Sequence, residues 1–295
     1  MARQGTYYLA RVSKMGALTP ELIVQALLSP SPVVMFGNAW SFVDAKEYET
    51  GGTKYVVGRL VKYRPDAEVI VVDPARRTDF VQQEPNLRIA SSPFVYIPSL
   101  AGVAFLRVAG QIEEWHFTER FARIIEETHL LVECELNLIA DLKSFSAKLS
   151  NLSGIYRIAT KIRLPNPCFS PIWKSLRDYI KMRRSGQMVL REDSKSTEPL
   201  NTNLPQLVAR AAAQPENEPF VPNEEVPIGD AAVLMAADGY GTGHIKGVRD
   251  GVVVMIRTTD TNRNFSFDKD PIAEELFVIT FEIFENIRNE RHLEH

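Results

Sequence analysis

The side chains best suited to chemistry fall late in the chain, at Asp230, Asp238, His244 and Lys246. Two carboxylates followed by two basic residues echo a metal-dependent nuclease core, in which carboxylates hold Mg2+ and a lysine steadies the attacking water. Such a core places an acidic residue or Gln two before the lysine on a buried strand. Here His244 holds that place, and imidazole is a poor Mg2+ ligand. The same segment carries Gly239, Gly241, Gly243 and Gly247, whose backbone amides could cradle a phosphate, with Lys246 and Arg249 beside them. Neither GxxxxGK[ST] nor a helix-opening GxGxxG is present, so a tight, twisted hairpin is the plainer expectation. His116 and His129 stand thirteen residues apart and cannot share a metal on one helical turn. Cys134 and Cys168 lie in apolar contexts without metal-type spacing and read as reduced, buried thiols. No GxSxG or HExxH motif occurs. No catalytic residue is assigned, and neither metal nor cofactor is expected.

Charge is more informative. Between Arg157 and Arg191 the chain carries nine basic side chains against one acidic, Asp178. From Glu216 to Asp230 it carries five carboxylates and no base, while the whole chain is close to neutral at -3. A local positive field attracts phosphates even when the net charge is slightly negative. On a helix starting at Pro171, the residues Lys174, Arg177, Lys181 and Arg184 recur at steps of three, four and three, hence on one face. On the preceding strand Arg157, Lys161 and Arg163 share one side, with Ile158, Ile162 and Leu164 on the other. These seven residues and Lys246 form the candidate nucleic-acid-binding set. Equally open readings make the run a solvated face, or a target for the chain's own acidic stretch at Glu216, Glu218, Glu224, Glu225 and Asp230.

Several elements must position these groups. Thr19 and Pro20 signal the cap and first residue of a helix to Leu28. Strands are expected at Tyr7–Val12, Val33–Phe36, Trp40–Glu47 and Tyr55–Tyr63, with Gly51-Gly52 turning the chain. Ser92–Ile97 and Val103–Val108 read as a hairpin, and Gln111–Thr128 as a helix burying Phe117, Phe121, Ile124 and Ile125. A second cycle follows: strand Leu130–Ile139, a helix capped by Asp141, strand Tyr156–Leu164, helix Pro171–Arg184 and strand Gln187–Arg191. Then come helix Leu204–Ala213, a β segment over Ala231–Ala237, Thr242–Val248 and Gly251–Thr258, and a helix Pro271–Arg291. On the last, Ile272, Leu276, Ile279, Ile283 and Ile287 form the expected apolar stripe, with Phe277, Phe281 and Phe284 to one side.

The expected fold class is α+β, with two ferredoxin-like halves, a small C-terminal β segment and a long terminal helix. Boundaries are read as 1–129, 130–192, a mobile linker 193–230, and 231–292. A length of 295 residues with 45% apolar content suits a globular protein of about two domains. No apolar run reaches the ~20 residues of a membrane span, and the N-terminus lacks signal-peptide character, so a cytoplasmic location is expected.

Four features recur together. Gly58-Arg59-Leu60-Val61-Lys62 closes an N-terminal β unit. Pro93-Phe94-Val95-Tyr96-Ile97 precedes a second strand and a helix ending near Glu127. Val132 to Asn166 runs strand, Asp-initiated helix, strand, and Asp238 to Gly247 supplies a glycine-bearing hairpin. This layout resembles a bacterial family of unknown function often labelled abortive phage resistance proteins. The loop after the first hairpin is Pro65-Asp66-Ala67 here, where that family carries charged or aromatic material. The resemblance implies a role in phage defence or a toxin-like module and brings no catalytic residue with it. The leading expectation is therefore a non-catalytic nucleic-acid-binding component of such a system. The alternatives are a metal-dependent nuclease around Asp230, Asp238, His244 and Lys246, and an interaction subunit forming homo-oligomers through the 271–291 helix.

Overall fold

Alternating and continuous apolar runs sort the strands into two antiparallel sheets, as seen in a computed structural model that describes residues 3–163, 174–195, 197–213 and 226–291. The first sheet has eight strands: β1 (Gln4–Gly16), β2 (Val33–Met35), β3 (Asn38–Thr50), β4 (Thr53–Asp73), β5 (Thr78–Ile97), β6 (Gly102–Leu106), β7 (Val132–Leu138) and β12 (Asn264–Asp268). Their order is β12-β1-β6-β5-β4-β3-β2, and β7 pairs with the C-terminal half of β1. The second sheet has the order β11-β10-β8-β9, from β8 (Gly154–Arg163), β9 (Gln187–Asp193), β10 (Gly241–Arg249) and β11 (Val252–Arg257).

Phe94, Val95, Tyr96 and Ile97 are all fully buried, as befits a strand covered on both faces. Helices α1 (Pro20–Leu28) and α2 (Glu114–Thr128) close one face over Phe42, Phe94 and Phe105. Thr19 accepts from Leu22 N at the start of α1, and Phe117 stacks on Phe105 with ring centroids 3.9 Å apart. The other face is closed by α7 (Ala273–Arg291), whose Phe277 stacks on Tyr55. The buried stripe of α7 is Leu276, Phe277, Thr280, Phe284, Ile287 and Arg291. The expected stripe is rotated from this one: Ile279 and Ile283 are half-buried and Ile272 is 64% exposed. Gly102 explains the shift, because a Cβ there would lie 2.6 Å from the Phe284 ring. The bare backbone lets that ring sit on the sheet and sets the rotation of the helix.

Helices α3 (Leu142–Ser150), α4 (Lys174–Met182), α5 (Leu204–Ala213) and α6 (Ile228–Met235) share a second core with Ile155, Ile158, Ile162 and Ile245 of the second sheet. Asp141 caps α3 through Ser144 N at 2.8 Å. The α+β class holds, but the two ferredoxin-like halves are not confirmed: β7 pairs with β1 in one sheet while β8 and β9 pair in the other. Ala231–Ala237, expected as strand, is helix α6 with the turn that follows it. Its unbroken apolar run suits a buried helix as well as a buried strand, and periodicity cannot separate the two. After Asp193, Ser194 N donates to Tyr156 O at 2.9 Å and Leu200 N to Ile155 O at 2.7 Å.

β4 and β5 run far beyond the expected strands. Pairing continues from Val56↔Tyr96 to Asp73↔Thr78 straight through Pro65, so no loop stands at Pro65-Asp66-Ala67. Past Tyr63 this ribbon has left β3 behind and projects as a two-stranded arm. Ile70, Val72, Phe80 and Val81 near its tip are exposed.

A buried polar knot ties the two sheets together. Arg11 of β1 donates to Leu100 O at 2.8 Å and Asp238 O at 3.1 Å, with its guanidinium over the Tyr240 and Phe284 rings. Arg291, at the end of α7, pairs with the Asp238 carboxylate and donates to Ala237 O at 3.2 Å and Ala140 O at 2.5 Å.

Candidate nucleic-acid interface

Strand alternation gives the second sheet an apolar side, facing α3 to α6, and a charged side. Cross-strand register lays the charged side out in rows: Met255, Lys246, Arg157 and Asp193; then Arg257, His244, Ala159 and Arg191; then Thr242, Lys161 and Val189. Arg163 ends the pattern opposite Gln187. The face thus gathers Arg157, Lys161, Arg163, Arg191, Lys246 and Arg257, six cations from four strands. β10 lies close enough to β8 that a Cβ on Gly241 would meet Lys161 O at 2.0 Å, which only glycine tolerates.

Two carboxylates answer the cations. Asp193 pairs with Arg157 and, at 2.6 Å, with Arg191. Glu135, reaching over from β7 of the first sheet, receives Lys161 Nζ at 2.6 Å and a two-pronged contact from Arg163 at 2.7 and 2.8 Å. Burial alone would raise the Glu135 carboxyl; the Arg163 and Lys161 hydrogen bonds overcome it and hold the group at about 2. Hydrogen bonds from Arg191 and Arg157 likewise lower Asp193. Lys246 makes no ion pair with a described residue. It lines, with Arg157, Asp193, Ser194, Thr197 and Val253, a depression of about 360 Å3.

The helical half of the expected set lies elsewhere. α4 buries Leu176 and Ile180 in the core on the apolar side of the sheet. Lys174, Lys181 and, just past the helix end, Arg184 are exposed, and Arg177 contacts Asp178 at 3.2 Å. The structure therefore brings Arg157, Lys161, Arg163 and Lys246 together and places Lys174, Arg177, Lys181 and Arg184 in the helical layer across the sheet. Sequence reasoning omitted Arg191 and Arg257 from the set and did not find Glu135. Parity along β9 and β11 would have added the two arginines had the pairing been known; nothing local in Val132–Leu138 points Glu135 at β8.

The nuclease arrangement does not assemble. Asp230 is buried in α6, accepts from Thr202 Oγ1 at 2.5 Å, and is pushed up by burial. Asp238 is held in the polar knot by Arg291, and burial pushes its carboxyl up against the pull of both arginines. Lys246 and His244 belong to the opposite side of the sheet from α6. No group of three or more His, Cys, Asp or Glu side chains converges on a metal-sized site among the described residues. The glycine segment is not a hairpin: it leaves the turn after α6 and becomes β10, and the hairpin turn falls at Asp250 and Gly251. His116 Nδ1 accepts from Glu113 N at 3.2 Å, and His129 Nε2 lies 2.8 Å from Leu22 O, so both rings have local structural partners. Burial raises the Cys134 thiol, making it inert. Cys168, the start of the helix at Pro171, and Glu216, Glu218, Glu224 and Glu225 lie outside the described residues.

No helix among the described residues is long and apolar enough to cross a membrane. No protein-family model matches this chain, and no curated protein sequence matches it.

Proposed function

We propose that this chain is a non-catalytic nucleic-acid-binding component of a bacterial phage-defence or toxin-like system, and that the charged face of the second sheet is its binding surface. The observation that supports binding is the convergence of six cations from four strands on one sheet face with two carboxylates to offset them. The place in defence rests on the layout resemblance alone. Among the described residues, Tyr156 is the one large aromatic side chain lining the depression, so the chemistry is chiefly contact with the phosphate backbone. Lys246, which makes no ion pair with a described residue, is the cation at the depression best placed to meet phosphate, with Arg157 beside it sharing Asp193 with Arg191, whereas Lys161 and Arg163 are engaged by Glu135.

Binding of labelled single-stranded and duplex RNA and DNA should be measured by fluorescence anisotropy over a salt series. Arg157→Ala with Lys246→Ala is expected to weaken binding and to lower the log–log salt slope by about 0.7 to 0.9 for each phosphate-neutralising cation taken away. Absence of binding by the unaltered protein at low salt overturns the reading.

An interaction-subunit reading has its own observation, the exposed apolar tip of the β4–β5 arm, a second candidate surface for another copy beside the 271–291 helix. Isolated two-stranded ribbons are marginal in water, and an arm of this kind gains by being covered. Ile70→Thr with Phe80→Thr should abolish any dimer seen by light scattering; a monomeric unaltered protein removes this reading.

A further inference from the structure

The first sheet contains a gap that neither reading uses. β6 ends at Leu106, paired with Tyr7 on one side, while its other neighbour β5 is last paired at Phe94↔Phe105. Beyond that point β1 and β5 continue with no strand between them among the described residues. Arg107 N still donates to Thr6 O at 3.0 Å, and there the ladder stops. The result is a groove of about 700 Å3 bounded by two open strand edges. Open edges present backbone N–H groups, which suit anions, and the volume falls in the range of small-ligand sites.

Four cations from four segments line this groove: Arg59 of β4, Arg88 of β5, Arg107 after β6 and Lys269 after β12. Arg59 is answered by Asp270 at 3.0 Å, and Arg107 by Glu113 at 2.5 Å and Glu114 at 3.6 Å. Arg88 and Lys269 make no ion pair with a described residue, so they leave the groove a local positive surplus. In the same lining, the Ser91 hydroxyl oxygen is buried without a hydrogen-bond partner among the described residues. A buried polar group without a partner is costly, and a ligand oxygen would satisfy it.

We propose that this groove is a binding site for a phosphomonoester, held by Arg88 and Lys269 with the Ser91 hydroxyl donating to a ligand oxygen. A phosphomonoester carries about 1.5 to 2 negative charges near neutral pH and three acceptor oxygens, which suits two unanswered cations and one unanswered hydroxyl. The same group can come from a free nucleotide or from the 5′ end of a nucleic-acid strand. This site lies on the other sheet from the proposed nucleic-acid face and stands whether or not that reading does.

The test uses the full chain, with inorganic phosphate, a nucleoside monophosphate, and one oligonucleotide with and without a 5′-phosphate, titrated calorimetrically at low salt. Phosphate and the monophosphate should bind and compete with each other. Arg88→Glu with Lys269→Glu should weaken both by about tenfold or more, since each exposed cation is turned into a repelling charge. Ser91→Ala should weaken them by a smaller factor. In an Arg157→Ala/Lys246→Ala background, where the second-sheet face no longer offers these cations to a phosphate, Arg88→Glu with Lys269→Glu should still weaken both by about the same factor, which separates this site from that face. A 5′-phosphate that strengthens oligonucleotide binding, with the gain abolished in Arg88→Glu/Lys269→Glu, assigns the site to strand ends; tighter binding of the monophosphate than of either oligonucleotide assigns it to free nucleotides. No binding of phosphate or monophosphate overturns the proposal, as does equal binding by Arg88→Glu/Lys269→Glu in a protein that still melts cooperatively.

Discussion

The two sheets are built from similar strands and differ in how many faces they bury. The first is closed on one side by α1 and α2 and on the other by α7, so Tyr7, Leu9, Phe94, Val95 and Phe105 have no exposed area. The second is closed on one side only, and its other side alternates out to Arg157, Lys161, His244 and Lys246. A sheet buried on both faces can present chemistry only at its margins, and the first sheet does so in the gap beyond β6 and along the β4–β5 arm. A sheet buried on one face has a whole surface to spare. Position relative to the helices, more than residue type, decides which cations in this chain can meet a ligand.

The largest expected effects come from uncovering the doubly buried sheet. Phe284→Ala removes the ring seated on Gly102 and should cost about 3–5 kcal/mol in urea unfolding. Arg291→Ala leaves the Asp238 carboxylate buried without its partner and should cost a similar ~3–5 kcal/mol. Against a total of about 5–15 kcal/mol, either change removes a large share of the stability. Ile283→Ala, on the half-buried flank of the same helix, should cost clearly less. Equal destabilisation at Phe284 and Ile283 would break the account of α7 as a cover centred on Phe284.

An intermediate effect is expected where the sheets touch. Glu135 has a folded-state pKa of about 2, below its unfolded value, so its ion pairs with Lys161 and Arg163 stabilise the fold above about pH 4.5, and that stabilisation fades as pH falls toward 2. Glu135→Gln should cost about 2–3 kcal/mol at neutral pH and flatten the fall in stability over that acid window. An unchanged acid limb in the variant would show that the bridge contributes nothing between the sheets.

The smallest stability change belongs to the singly covered face. Arg157→Ala with Lys246→Ala should alter unfolding by less than about 1 kcal/mol while weakening nucleic-acid binding, because these side chains stand on a solvated surface. A large drop in stability there would make the face structural and erase the contrast between the sheets.

Local signals were legible where they needed no partner. The Thr19-Pro20 start of α1, the Asp141 cap, the Gly51-Gly52 turn and the span Leu204–Ala213 follow from side-chain hydrogen bonding, φ preference and periodicity within one segment. The common side of Arg157, Lys161 and Arg163 was legible too, since alternation is a property of a single strand. The extension of β4 and β5 was hidden because proline reads as a breaker. Yet Pro65 and Pro85 sit in a ribbon with no further described strand on its flanks, where a missing N–H costs little.

Read alone, the chain sets a local grammar: most helices and their caps, the strand parities, and the segregation of basic from acidic residues. Long-range packing decided that β7 pairs with β1, that α4 lies across the second sheet from Lys246, that Glu135 engages two of the basic residues, and that Arg88 and Lys269 line one groove. Each of these joins segments distant in the chain. Strand pairing is set by which faces bury together over the whole molecule, and no window of sequence contains that sum.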